Sequence, residues 1–271
     1  EFASNNVDFD PGAGTTTLSN RGWDDVYVSK FNSSGDFVWV QQIGGTGTDR
    51  GRSISIDASG NIYVGGYFQG TVDFDAGIGT SNLSSVGSSD AFVLKLDSGG
   101  GFQWVRQITG ATISGSARLS SLKVSGDGLY AIGEFNGTAD FDPGVGTSNL
   151  VSNGNSDVYA LKLDLSGNFQ WAKSVGAGGN DLAKSLAVDS SGVYVIGGFL
   201  GTVNFNSAGS ANLSSPDVNT INGFLMKLDV NGAYQWAYKV GGLGSGVALD
   251  TTAGYVYATG YFMGTNDFNP G

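Results

Sequence analysis

Apolar positions in this chain come in short runs that alternate with polar ones or fill completely, and no stretch keeps the three-and-four spacing of a helix. Residues 53–108 set the pattern. SISID (53–57) is followed by the turn ASG and then NIYVGGYF (61–68). A long Gly/Ser/Asp connection leads to DAFVLKLD (90–97), a tight turn and FQWVRQI (102–108). Such β-branched and aromatic runs, four to eight residues long, predict strands. Several are apolar on both faces, as in a sheet covered on both sides. The turns DASGN, DLSGN and DVNGA supply Asp to bond the turn backbone and Gly for positive φ.

The pattern repeats. Trp39, Trp104, Trp171 and Trp236 recur every 65 to 67 residues, and Lys30, Lys95, Lys162 and Lys227 keep the same spacing. Four repeats of about 65 residues are thus expected within one domain, 1–271, cut approximately as 1–66, 67–133, 134–198 and 199–260, with 261–271 starting a fifth copy. Sixteen strands in four-stranded antiparallel units of one sequence type predict an all-β fold, a β-propeller with one blade per unit. IDASGNIYVGGYFQG and VDSSGVYVIGGF, followed by DAFVLKLD and FQWVRQI, resemble the bacterial SBBP-type β-propeller repeat over essentially the whole chain. The resemblance implies a secreted or cell-surface bacterial protein, but it carries no shared activity to particular residues. The inserted DFDPGxGT segment departs from it.

If the SISID-type strands are innermost, the chain starts late in one blade and ends after two strands of another. The N- and C-terminal strands would then share one blade and close a four-bladed ring, which is the preferred reading. The alternative is a window on a longer array. EFASNNVDFDPG and YFMGTNDFNPG are copies of one segment, and a closed ring needs only one of them. The opening residues lack a signal-peptide pattern, so a mature chain or part of a longer one is expected.

Antiparallel strands send successive links to opposite ends. The tight DxSGN turns belong at one end. The DFD segments and the inter-blade links GGTGTDRG (44–51) and GAGGNDLA (176–183) belong at the other, where loops concentrate function. In DFD, alternation puts the carboxylates on one side, about 6–7 Å apart, and the phenylalanine on the other, as a core plug. Asp8, Asp10, Asp73, Asp75, Asp140 and Asp142 could therefore supply part of a calcium shell, although calcium wants six to eight oxygens. The competing expectation is a turn, with the carboxylates answering the recurrent lysine, since Lys95 shares a strand face with Ala91 and Val93 between blades. Asn204 and Asn206 in the fourth copy favour the turn.

Composition removes several classes of function. The formal charge of −11 argues against nucleic acid. There is no apolar run long enough to span a membrane as a helix. With no Cys and no His, thiol catalysis, Ser-His-Asp triads and imidazole metal sites cannot be built. A carboxylate-dependent glycan-active enzyme would need unlike acid and base, but the repeated Asp are equivalent and Glu occurs only as Glu1 and Glu134. The recurring tryptophans read as wedges between blades. Trp23, in the irregular RGWDD, together with Arg50 and Arg52, is expected to form an asymmetric patch on the loop face. The leading function is a non-catalytic extracellular binding or adhesion module for glycan or surface protein. The alternative is a structural spacer of a large adhesin or appendage, self-associating through blade edges.

Overall fold

The computed structural model describes residues 1–110, 115–215 and 220–262, and all regular structure in them is β. The chain opens with a short hairpin, β1 (Val7–Asp8) and β2 (Thr17–Leu18), then β3 (Val26–Phe31) and β4 (Phe37–Gly45). β5 (Arg50–Ile56) and β6 (Ile62–Phe68) precede a second short hairpin, β7 (Thr71–Asp73) and β8 (Asn82–Ser84), and then β9 (Asp90–Leu96) and β10 (Phe102–Gly110). The same order continues with β11 (Ser116–Ser125), β12 (Gly128–Asn136), β13 (Thr138–Asp140), β14 (Asn149–Val151), β15 (Asp157–Leu163) and β16 (Phe169–Val175). It continues again with β17 (Leu182–Asp189), β18 (Gly192–Phe199), β19 (Thr202–Asn204), β20 (Asn212–Ser214), β21 (Asn222–Leu228) and β22 (Tyr234–Lys239). β23 (Gly244–Asp250) and β24 (Tyr255–Gly260) come last.

Three complete antiparallel blades result, β5-β6-β9-β10, β11-β12-β15-β16 and β17-β18-β21-β22. Their middle strands are buried on both faces, because alternate residues point to the two neighbouring blades. Tyr63 of β6 faces the following blade, while Ile62, Val64 and Phe68 face the preceding one. Each pair of neighbouring blades encloses its own core cluster, and the inner strands β5, β11, β17 and β23 pack side by side.

The DFD connections are themselves hairpins, and they reach backwards. β7 pairs with the end of β4 (Gly44↔Asp73, Gly45↔Val72), and β13 pairs with the end of β10 (Thr109↔Asp140, Gly110↔Ala139). Each of these two hairpins therefore clasps the outer strand of the preceding blade. The fourth copy, β19–β20, pairs only with itself.

The blade expected to unite the two ends is not formed among the described residues. β24 pairs only with β23, and β3 only with β4. The place beside β3 is entered instead by Phe2, whose N–H and C=O both bond Asp25 at 3.0 Å, as Phe68 pairs with Asp90 one blade on. Phe262 is the C-terminal copy of that residue. It is 55% exposed where Phe2 is 8% exposed, so the N-terminal copy holds the slot. The closing NDFNPG (266–271) lies outside the described residues.

The expected pairing of lysine with DFD is also corrected. Lys95 lies at the far end of β9 from the hairpin, beside the tight turn. Its Nζ donates to Leu165 O in the next blade's turn (3.2 Å) and sits 5.0 Å from the centre of the Tyr63 ring. Lys162 repeats this over Tyr130, donating to Val230 O and pairing with Asp127 at 2.7 Å. Lys30 bonds Ser98 O, again one blade on. Lys30, Lys95 and Lys162 are therefore inter-blade staples at the turn end, whereas Lys227 donates to Ser191 Oγ and lies over Tyr194 within its own blade. Trp104 and Trp171 stand edge-on to the same tyrosines and wedge against the cores, as expected.

Candidate ligand-binding site

A glycine recurs two residues before the phenylalanine that ends each second strand, at Gly66, Gly133 and Gly197. The inner strand pushes a carbonyl against each of them, that of Arg50, Arg118 and Leu182 respectively, and a Cβ there would overlap the oxygen. Just beyond, the pairing shifts register between Gly51 and Ser53, Leu119 and Ser121, and Ala183 and Ser185. Each shift is a bulge with one extra residue, Arg52, Ser120 or Lys184, and bulges re-aim side chains. All three line one cavity of about 600 Å³ at the end of the blades that carries the hairpins and inter-blade links.

Arg118 completes the cationic lining. Its guanidinium lies 4.8 Å from the centre of the buried Tyr67 ring, and that of Arg52 lies 5.4 Å from it, so one ring holds two cations. Such contacts give roughly 0.5–2 kcal/mol each, which offsets mutual repulsion without neutralising charge. Among the described residues the ion pairs join Arg50 to Asp24 and Glu1, and Lys162 to Asp127, and none involves Arg52, Arg118 or Lys184. The one lining carboxylate, Glu134, is already engaged. Oε2 accepts from Ser120 Oγ at 3.0 Å and Oε1 from the Ala183 N–H at 2.9 Å. Burial pushes its pKa up, against those two bonds and the charges of Lys184 and Arg118. The cavity thus sets three cations and several serine hydroxyls against one carboxylate in an otherwise acidic protein, which suits an anion.

The nominated residues separate. Arg52 lines the cavity. Arg50 is locked to Asp24 at 2.6 Å. Trp23 is 76% exposed on the loop face but outside the cavity, its N–H donating to Gly47 O. Arg118, Lys184, Tyr67 and Glu134 were not anticipated. They come from different repeats, with Tyr67 and Glu134 sharing the position between strand glycine and phenylalanine and Arg118 and Lys184 falling at two other positions, and only the strand glycines hinted at the bulges that gather them.

The DFD carboxylates turn inward on their own hairpins. Asp73 Oδ1 accepts the N–H groups of Asp75 (3.0 Å) and Ser81 (2.8 Å), and Asp140 Oδ1 those of Asp142 and Ser148 at the same distances. Asp8 does so with Asp10 and Thr16. The second carboxylates, of Asp10, Asp75 and Asp142, bond the glycine N–H two residues on, each at 2.8 Å. They also fill the space a side chain at Gly14, Gly79 or Gly146 would need, which fixes the glycine spacing. Asn204 and Asn206 make equivalent turns in the fourth copy. Phe74, Phe141 and Phe205 are buried plugs, each flanked by two aromatic rings. Among the described residues no three or more acidic side chains are placed to hold a metal ion together.

Two further carboxylates are buried at blade joints. Asp49 bonds the N–H groups of Gly45 and Gln69, and Asp181 those of Ala177 and Leu200. Burial, outweighing those bonds, raises each pKa to about 6, with Asp25 and Asp157 respectively adding like charge nearby.

Similarity to known proteins agrees with the repeat architecture. The family model of the SBBP beta-propeller repeat matches residues 38–67, which cover β4 to β6. An uncharacterized WD repeat-containing protein of Acanthamoeba polyphaga mimivirus is 25% identical over 189 residues, 64% of this chain. The chain spans 13% of that relative's length.

Proposed function

We propose that this chain is a non-catalytic binding module that offers the loop-bearing end of its blades to an extracellular glycan or protein. One observation carries the reading: three cations that form no ion pair among the described residues line a single concave cavity at that end, against one carboxylate, Glu134. Support for a non-catalytic role comes from the carboxylates, since those of DFD hold hairpin amides and both oxygens of Glu134 are bonded. The cell-surface, bacterial setting rests on the resemblance of the repeat. A glycan array probed with the chain in calcium and again in chelator tests the reading. Binding in both conditions is expected, loss in chelator would assign the ligand contact to calcium at the DFD hairpins, and silence in both would remove the glycan-binding role.

A spacer or appendage subunit is the second reading, favoured by the exposed aromatic face of the last strand pair. Tyr255 and Tyr257 are open to solvent where β6 and β18 are wholly buried. A strand like β3 would pair along the open edge of β24, as β9 does along β6, supplied by this chain's other end in a four-bladed ring or by a second copy. Sedimentation velocity separates the two: concentration-dependent assembly supports the spacer, and a monomer at all concentrations opposes it.

A further inference from the structure

Resting on the binding-module reading, we infer that the cavity takes an acidic saccharide, its carboxylate or sulfate group held between Arg52, Arg118 and Lys184. The three side chains reach the cavity from three successive inner strands, so their charges converge from separate blades. Fixed geometry favours recognition over loose attraction. Arg118 is braced by Nε donating to Ser89 Oγ at 3.2 Å and by the Tyr67 ring at 4.8 Å. Arg52 is braced by Nη2 donating to Tyr67 Oη at 3.3 Å. A guanidinium tied on one side keeps its remaining N–H groups for an oxyanion, which it meets with charge-assisted bonds.

The rest of the lining selects the class of anion. Ser116, Ser120 and Ser156 border the space, so sugar hydroxyls find matching donors and acceptors. Tyr67 has already given its ring to cations, and Leu119 and Phe135, which also border the space, are themselves buried in the blade cores. The volume, about 600 Å³, is within the range of small-molecule sites and admits two or three sugar rings. Glu134, opposite Arg118 on the paired strand and bonded to Ser120 and the Ala183 N–H, offsets part of the cationic charge, so the anionic group belongs on the side of Arg52 and Lys184 away from it.

Calorimetric titration of the whole chain tests this, with trigalacturonate for carboxylate and a chondroitin sulfate disaccharide for sulfate. Galactotriose, sodium sulfate alone and pentaglutamate serve as controls. At least one acidic saccharide is expected to bind, with affinity falling about tenfold or more in Arg118→Gln and in Lys184→Gln, both verified folded by circular dichroism. Raising ionic strength from about 0.05 to about 0.5 M should weaken it likewise. Equal binding of galactotriose, full replacement by sulfate alone, preference for pentaglutamate, or unchanged affinity in both variants would each overturn the assignment. Silence with both acidic saccharides overturns it too, yet the module reading falls only if the array is silent as well.

Discussion

Replacing Asp140 by alanine and by asparagine separates the architectural role of the DFD pair from a metal-binding one. Asp140 Oδ1 accepts two backbone N–H groups, from Asp142 at 3.0 Å and Ser148 at 2.8 Å, and so closes both sides of the hairpin that clasps β10. Alanine leaves both donors without a protein partner. The site is half-buried, so water replaces part of what is lost, and a destabilisation of about 1–2 kcal/mol is expected. Asparagine keeps a carbonyl oxygen in the same place, as Asn204 does toward Asn206 and Ala211, and should stay within about 0.5 kcal/mol of the parent. Urea unfolding followed by tryptophan fluorescence, at constant slope, measures both differences. Calcium or chelator should leave all three midpoints in place. The reasoning fails if asparagine is as damaging as alanine while calcium stabilises only the parent chain.

Phe141→Ala should be costlier, about 3–5 kcal/mol by the same unfolding assay, because the ring is fully buried against Phe135 and Tyr159 at 5.2 and 4.9 Å. The corresponding Phe9→Ala should cost clearly less, since Phe9 is only partly buried. Stability should also fall as pH rises from about 4 to about 6. In that interval Asp49 and Asp181, with pKa raised to about 6, stay protonated in the folded chain but ionise when unfolded; above it both carry a buried charge. Each contributes on the order of 2–3 kcal/mol, so the melting temperature should be higher at about pH 5 than at about pH 7.5, and a flat scanning-calorimetry profile would contradict this.

Strands, repeats and plugs were legible because they obey simple periods. Tyr63 and Val64 go to opposite faces by alternation alone, and Phe74 between two aspartates follows the same rule. Lys95 was misplaced for want of one count along β9: it lies five positions after Asp90, which carries it to the opposite end from the hairpin. The cavity was hidden for a different reason. A bulge breaks the alternation that sequence reading relies on, and Arg52, Ser120 and Lys184 share a structural position while differing in chemistry. Arg118 occupies yet another position, matching Arg50. No single-repeat ruler would bring Arg52, Arg118 and Lys184 together, and only the close approach at Gly66, Gly133 and Gly197 marks where the rule fails. The slot filled by Phe2 lay in between, since the duplicated end segments posed the question of closure without saying which copy would win.

The backward-reaching hairpins give the array an order of completion during synthesis. β10 leaves the ribosome with the end of its strand, Thr109 and Gly110, lacking a strand partner, Gly110 being held through its N–H to Asp90, and that partner comes when residues 138–151 have followed. The blade ending in β10 is therefore finished by its successor, and a nascent chain paused between the two would display a loose outer edge. Termination or cleavage just after β10 should yield a frayed final blade, whereas a cut after β14 should leave it sealed.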